Sequence, residues 1–363
     1  YSTSGISMDL LLLPFFCTLL LALLRSPVSS LSSSLKMSSV ASEARAKKLF
    51  RQTPLIQSDT LSRLAGTPVY LKLDALQNSG SFKDRGMAHL CLELSKKGVT
   101  NIISSSGGNA GLAAATVAKQ LGLDCTVVVP VTTKQLVVEK LESLGATVQV
   151  TGENWNAADA VVKKMVAEDT STAYIPPYEN PLLWTGHSTV IDEIYQELDD
   201  APSTIIVSVG GGGLLCGVLE GLDRLNAKCN VIAAETDGAS SFAQAWNSGE
   251  LVTLAGIDSV ATSLGALQVS ESAIVRSKSH ESKSLGTVTT AICSDAEAVD
   301  ACLQFARDHR MLVEPACGAA LAVLYSDRLR KNVREQGPIV VEVCGGSGVN
   351  LDLLQQWKEM LSL

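Results

Sequence analysis

From about residue 50 onward, short apolar runs rich in β-branched residues alternate with stretches whose apolar positions recur at helical spacing. "PVYLKLD" (68–74), "NIISSS" (101–106), "CTVVVP" (125–130), "TVQVTG" (147–152), "TIIVSV" (204–209), "NVIAAE" (230–235) and "PIVVEV" (338–343) predict strands. Between them, "KDRGMAHLCLELSKKG" (83–98) predicts a helix ending at Gly98, and "NAGLAAATVAKQLG" (109–122) one ending at Gly122. Further helices are predicted over 134–145, from Gly210 to Leu225, over 294–310 behind a capping box of Ser294 and Glu297, and over 314–329. Strand and helix in alternation imply parallel pairing with helices over both faces. "YIPPYENPLLW" (174–184) interrupts the rhythm with Pro176, Pro177 and Pro181 and reads as a crossing between domains. No period of about 20–50 residues recurs, which excludes a solenoid.

Composition narrows this picture. At 363 residues, the chain suits two domains or a large one carrying an insertion. Aromatic residues are 4%, so the core is built from Ala, Val, Leu and Ile, which fits α/β layers. The net charge of −8, with no basic run interleaved with aromatics, argues against nucleic acid as a partner. Nine cysteines, with no C-x-x-C pair and several inside apolar runs, read as buried, reduced thiols of a cytoplasmic enzyme.

Residues 1–37 stand apart. The charge-free run from Leu10 to Leu24 falls short of the ~20 residues a membrane span needs, and Arg25 follows it instead of a basic segment preceding it. A Ser-rich tract comes next. We expect a targeting or non-native disordered segment here, dispensable for the fold, with no membrane partner; organellar import is the alternative to a cytoplasmic location.

Three glycine-rich turns follow predicted strands: "SSSGGNAG" (104–111), "GGGG" (210–213) and "CGGSG" (344–348). Turns at the carboxyl ends of parallel strands line the ligand crevice, and the helix N-termini after them favour an anion. The anion is not a Rossmann dinucleotide, because Leu215 stands where G-x-G-x-x-G from Gly210 needs glycine. Triphosphate, zinc-protease and serine-hydrolase motifs are also missing, and the four histidines are scattered. What remains is a phosphate cradle together with Lys83, set among small polar residues in "NSGSFKDRG" ahead of a helix. Pyridoxal 5'-phosphate requires both, an amine for its aldehyde and backbone donors for its phosphate.

The motifs "SGSFKDRG", "SSSGGNAGLAAA", "SVGGGGLLCGV", "ETDGASSF", "EPACGAALA" and "VCGGSG" occur in order over roughly residues 50–357. On them the chain resembles the fold-type-II pyridoxal phosphate enzymes, within them the L-serine dehydratase/L-threonine deaminase (serine dehydratase-like) family. The resemblance implies a tryptophan synthase beta-like fold of two open, mostly parallel sheets. A small domain (79–177) would be inserted in a large one (38–78 and 178–363). It implies β-elimination from L-serine or L-threonine, giving ammonia and pyruvate or 2-oxobutanoate, by a homodimer acting on a small amino acid. Lys83 would carry the cofactor and act as base, with Phe82 against the ring and Asn109 bonded to the ring hydroxyl. Gly210, Gly211, Gly212 and Gly213 would cradle the phosphate, Cys344 would face the pyridine nitrogen, and residues 106–110 would take the substrate carboxylate. Glu235 and Ala239 match a loop that binds a monovalent or divalent cation.

Two positions depart from the family pattern. Gly107 stands where related serine racemases carry a serine that acts as second base and where the dehydratases usually carry alanine. Glycine moves no proton, so Ser106 and Gly107 belong to a lyase site better than to a racemase. A serine added at 107 is expected to crowd the substrate. Ser263, where alanine is usual, would touch the other face of the cofactor.

Overall fold

The computed structural model describes residues 39–363 other than 170, 332 and 334–336; the expectation for residues 1–37 lies outside the described residues. Among the described residues, ten strands form two sheets: β1 (Leu55–Gln57), β2 (Val69–Lys72), β3 (Asn101–Ser104), β4 (Asp124–Val129), β5 (Thr147–Val150), β6 (Thr172–Tyr174), β7 (Thr204–Ser208), β8 (Asn230–Thr236), β9 (Val288–Cys293) and β10 (Ile339–Glu342). One sheet runs β1-β2-β10-β7-β8-β9 and the other β5-β4-β3-β6. All pairings are parallel except β1 with β2, where Leu55 faces Lys72.

The strands of the smaller sheet all fall between β2 and β7 in the chain. Strand β10, late in sequence, closes the gap between β2 and β7, with Ile339 opposite both Val69 and Thr204. Every residue of β7 and β10 is buried, as expected of central parallel strands covered on both faces. A small satellite core of Ile103, Val128, Ala158 and Val162 lies under the helix Trp155–Glu168.

Local signals set the helix ends. Gly122 adopts φ 69° to end Asn109–Leu121, and the Ser294–Glu297 capping box opens Asp295–His309. The helix expected over 314–329 is broken. Pro315–Tyr325 stops where Ser326 turns extended, and the Ser326 hydroxyl caps a new turn, Asp327–Arg330. A capping serine outcompeted continuation of the apolar pattern.

Just past Lys83, a buried ionic cluster fixes the first turn of the helix Lys83–Lys96. Arg85 is fully buried and bonds Asp74 through Nε (2.6 Å) and Glu193 through Nη1 (2.8 Å) and Nη2 (2.7 Å). Lys72 reaches the same Glu193 at 2.8 Å. Glu342, next to Lys72 across the sheet, is buried with neither oxygen bonded; burial, aided by Asp74, pushes its pKa well above the usual carboxylate range.

Candidate active site

Lys83 opens its helix at a place stitched to the third glycine turn. Ser81 bridges Gly345, Phe82 N–H donates to the Cys344 carbonyl (3.1 Å), and Gly346 N–H donates to the Gly80 carbonyl (2.9 Å). The Lys83 amine donates to the Pro177 carbonyl at 2.6 Å and lies 5.0 Å from the centroid of the Phe82 ring. Desolvation lowers its pKa to about 8, against the opposing pull of Cys344 and Glu314. At neutral pH a sizeable share of the amines is then unprotonated and nucleophilic.

Gly210–Gly213 follow β7 and lead into the helix Gly213–Leu225, which has no side-chain cap. A Cβ on Gly211 would lie 2.3 Å from the Tyr178 ring, so only glycine admits Tyr178 there. The first glycine turn leads into the helix Asn109–Leu121, also without a side-chain cap. Two helix N-termini thus keep backbone donors for anions, the arrangement a phosphate and a carboxylate require. Gly111 allows this turn to fold back, since a Cβ there would sit 1.7 Å from the Ser106 carbonyl oxygen.

Asn109 draws the turns together. Its amide oxygen accepts from Ser347 N–H and Oγ, both at 2.9 Å, and its nitrogen donates to Glu314 Oε1 at 2.8 Å and Ser263 Oγ at 3.4 Å. Glu314, buried, has its pKa raised chiefly by desolvation. A cleft of about 180 Å³ is lined by residues including Gly107, Asn109, Val137, Ser263, Glu314, Ser347 and Trp357. Lys83 is not on its wall, but Glu314 is, and it interacts electrostatically with Lys83. Cys344, just past β10, is buried; its bond with Cys317 and then its burial push its pKa well above that of an ordinary thiol. It stays a neutral thiol.

Gly107 has no left-handed backbone. A Cβ there would lie 3.0 Å from Val129 Cγ1 and 3.6 Å from Thr133 and Val137. A side chain at 107 would therefore start against these three residues, of which Val137 lines the same cleft as Gly107, so the cleft is narrow at this point. Glu235 and Ala239 are both buried at the end of β8. The Glu235 carboxylate accepts from Phe242 N–H (2.9 Å) and Ala243 N–H (2.7 Å), capping the helix Ser241–Ser248. Among the described residues no group of three or more His, Cys, Asp or Glu is placed to hold a metal.

Sequence reasoning assigned no role to Glu314, Tyr178 or the Pro177 carbonyl. Glu314 had a readable signal: Pro315 opens a helix, which makes its predecessor the N-cap at a crevice edge. The other two lie in the proline-rich crossing, where only chain direction was legible.

A lysine of depressed basicity, flanked by glycine turns at the carboxyl ends of parallel strands, defines an α/β enzyme that holds an anionic carbonyl cofactor. A family model described as "Pyridoxal-phosphate dependent enzyme" matches residues 46–345. L-serine dehydratase/L-threonine deaminase of Homo sapiens is 44% identical over 319 residues, 86% of this chain and 95% of that protein. Serine dehydratase-like of Homo sapiens is 42% identical over 330 residues, 89% and 98% of the two chains. The crystal structure of a fungal L-serine ammonia-lyase from Rhizomucor miehei superposes with TM-score 0.79 at 35% identity, covering 86% of this chain and 98% of its own. The chain belongs to the pyridoxal-phosphate dependent enzymes, and the fold is the one expected from its motifs.

Proposed function

We propose that this enzyme deaminates L-serine to pyruvate and L-threonine to 2-oxobutanoate, releasing ammonia by β-elimination. The names of its relatives support the reaction class, and the observation that carries it here is the Lys83 amine, desolvated and aimed by Pro177. When bound, pyridoxal phosphate supplies the electron sink that acidifies the substrate α-carbon. Lys83 holds the cofactor and takes the α-proton, a task suited to an amine with a pKa near neutrality. Phe82 would pack against the ring. Residues 210–213 and the helix behind them bind the phosphate, and residues 106–110 bind the substrate carboxylate. The Cys344 thiol stays neutral and would face the ring nitrogen, a weak proton source that would keep the sink moderate and favour prompt elimination. Asn109 orients the ring hydroxyl from its bracing between Glu314 and Ser347.

The boundaries at 79 and 177 belong to the same proposal, supported by sheet membership. So do the homodimer and the cytoplasmic location. Eight described cysteines are free and buried, in keeping with a reducing compartment, and Cys17 lies outside the described residues. No described helix is long and apolar enough to cross a membrane. A cation at Glu235 and Ala239 has the weakest support, since both Glu235 oxygens already accept backbone bonds. Melting with and without potassium or magnesium tests it, and an unchanged midpoint would remove it.

The deciding experiment follows keto-acid formation from L-serine, L-threonine and D-serine, with chiral analysis of residual serine. Keto acids from the L-amino acids with almost no D-serine are expected. Abundant D-serine would hand the site to a racemase, and visible cofactor absorbance without turnover would leave a binding protein.

A further inference from the structure

The turn assigned to the substrate carboxylate is anchored from behind by a residue outside the motifs. Ser105, 1% exposed and absent from the cleft wall, donates its hydroxyl to Asp159 Oδ1 at 2.8 Å. The Tyr174 hydroxyl, from the end of β6, donates to the same oxygen at 2.7 Å, and Lys163 pairs with Oδ2 at 2.8 Å. Asp159 sits on the helix Trp155–Glu168 and is 5% exposed. Burial alone would raise its pKa, but the bonds from Lys163, Tyr174 and Ser105 outweigh it and keep the carboxylate ionised.

These bonds are not needed to align the sheet. Residues 101–103 of β3 already pair with 172–174 of β6. What Asp159 adds is a fixed point at Ser105, the first residue past β3, where the turn begins. The next residue, Ser106, packs its carbonyl so closely on Gly111 that no Cβ fits between them. A displacement at Ser105 is therefore carried into the first turn of the helix Asn109–Leu121, with little slack to absorb it.

We propose that Asp159 is a positioning residue for substrate: through Ser105 it sets the aim of the backbone donors at 106–110 that receive the amino-acid carboxylate. The inference rests on the dehydratase reading. It concerns where the substrate is held, and the cofactor's attachment at Lys83 and the phosphate turn is left unchanged.

The test compares wild type, Asp159→Ala, Ser105→Ala and the double variant as holoenzymes. For Asp159→Ala, the KM for L-serine should rise about tenfold, because small misplacements of a bound group are amplified in this way. The kcat at saturation and the visible absorbance of the bound cofactor should stay near wild type. Ser105→Ala should raise KM by less, and the double variant should be no worse than Asp159→Ala, since both remove one linkage. An unchanged KM overturns the proposal. So does an equal fall of kcat and KM-limited turnover with loss of cofactor, the mark of general loosening. If Asp159→Ala does not fold, Ser105→Ala decides alone. If the wild type makes no keto acid, the dehydratase reading fails; L-serine affinity is then taken from the change in cofactor absorbance, and the same variants still decide the positioning role.

Discussion

Lys83 is the residue on which the proposed chemistry turns, and its setting gives a pH signature. With a pKa of about 8, roughly one amine in ten is neutral at pH 7; an ordinary lysine near 10.5 would offer about one in three thousand. The folded value lies below the unfolded one, so the neutral fraction climbs as pH rises through 8. Cofactor capture by cofactor-free protein should therefore accelerate between pH 7 and 9 and level off above, followed by stopped-flow absorbance. A rate still rising in proportion to hydroxide at pH 10 would contradict the depressed basicity. Lys83→Ala should fold and lose all turnover; keto-acid production near wild type would refute the assignment. At Gly107, the Val129 contact of 3.0 Å asks a neighbour to yield by a few tenths of an ångström. Gly107→Ser should thus keep its fold and, because the side chain is added where the cleft is narrow, slow turnover with almost no D-serine formed. Loss of all turnover in a well-folded variant would show that the space at 107 is used by the substrate. Lys83 was legible because a cation among small polar residues is anomalous. Asp159 was hidden because Ser105, the residue through which it meets the glycine turn, lies 54 residues away.

Among the elements, β7 and β10 announced themselves by the apolar runs at 205–207 and 339–341, buried with the polar residues at their ends. Strand β9 did not: only its two ends are buried, so "VTTAIC" shows no apolar face. Strands β1 and β6 have three residues each, too few for a period to register. The order of the strands was less legible still, since β10 inserts between β2 and β7 by contacts across more than 100 residues of sequence. The helix that begins at Lys83 depends on the Arg85 cluster. Arg85→Leu would leave Asp74 without its ion-pair partner and Glu193 with Lys72 alone, and breaking a buried pair in this way costs about 3–5 kcal/mol. A matching fall in the denaturant midpoint, together with weaker cofactor binding, is expected. A midpoint within experimental error of wild type would mean that Lys72 suffices to hold both carboxylates.

On the scale of the whole molecule, the buried cysteines form a chemical record of folding. Burial pushes the pKa of the Cys125, Cys216 and Cys293 thiols up to about 12, so little thiolate is present at neutral pH. A thiol reagent should leave the eight described cysteines unmodified in the native enzyme and label them all once denaturant is added. Fast labelling of several in the native state would show that the layers open readily.

The Pro177 carbonyl that receives the Lys83 amine has one more consequence. It is main chain, so it belongs to no side chain that evolution or mutagenesis can delete. Its direction is a property of the backbone torsions where the segment bends at 177–178. An alanine scan across 174–178 would record position 177 as nearly silent, although the oxygen there restrains the amine at the centre of the proposed reaction. What lineages of this enzyme must inherit at this point is a backbone shape, and sequence comparison alone would undervalue it.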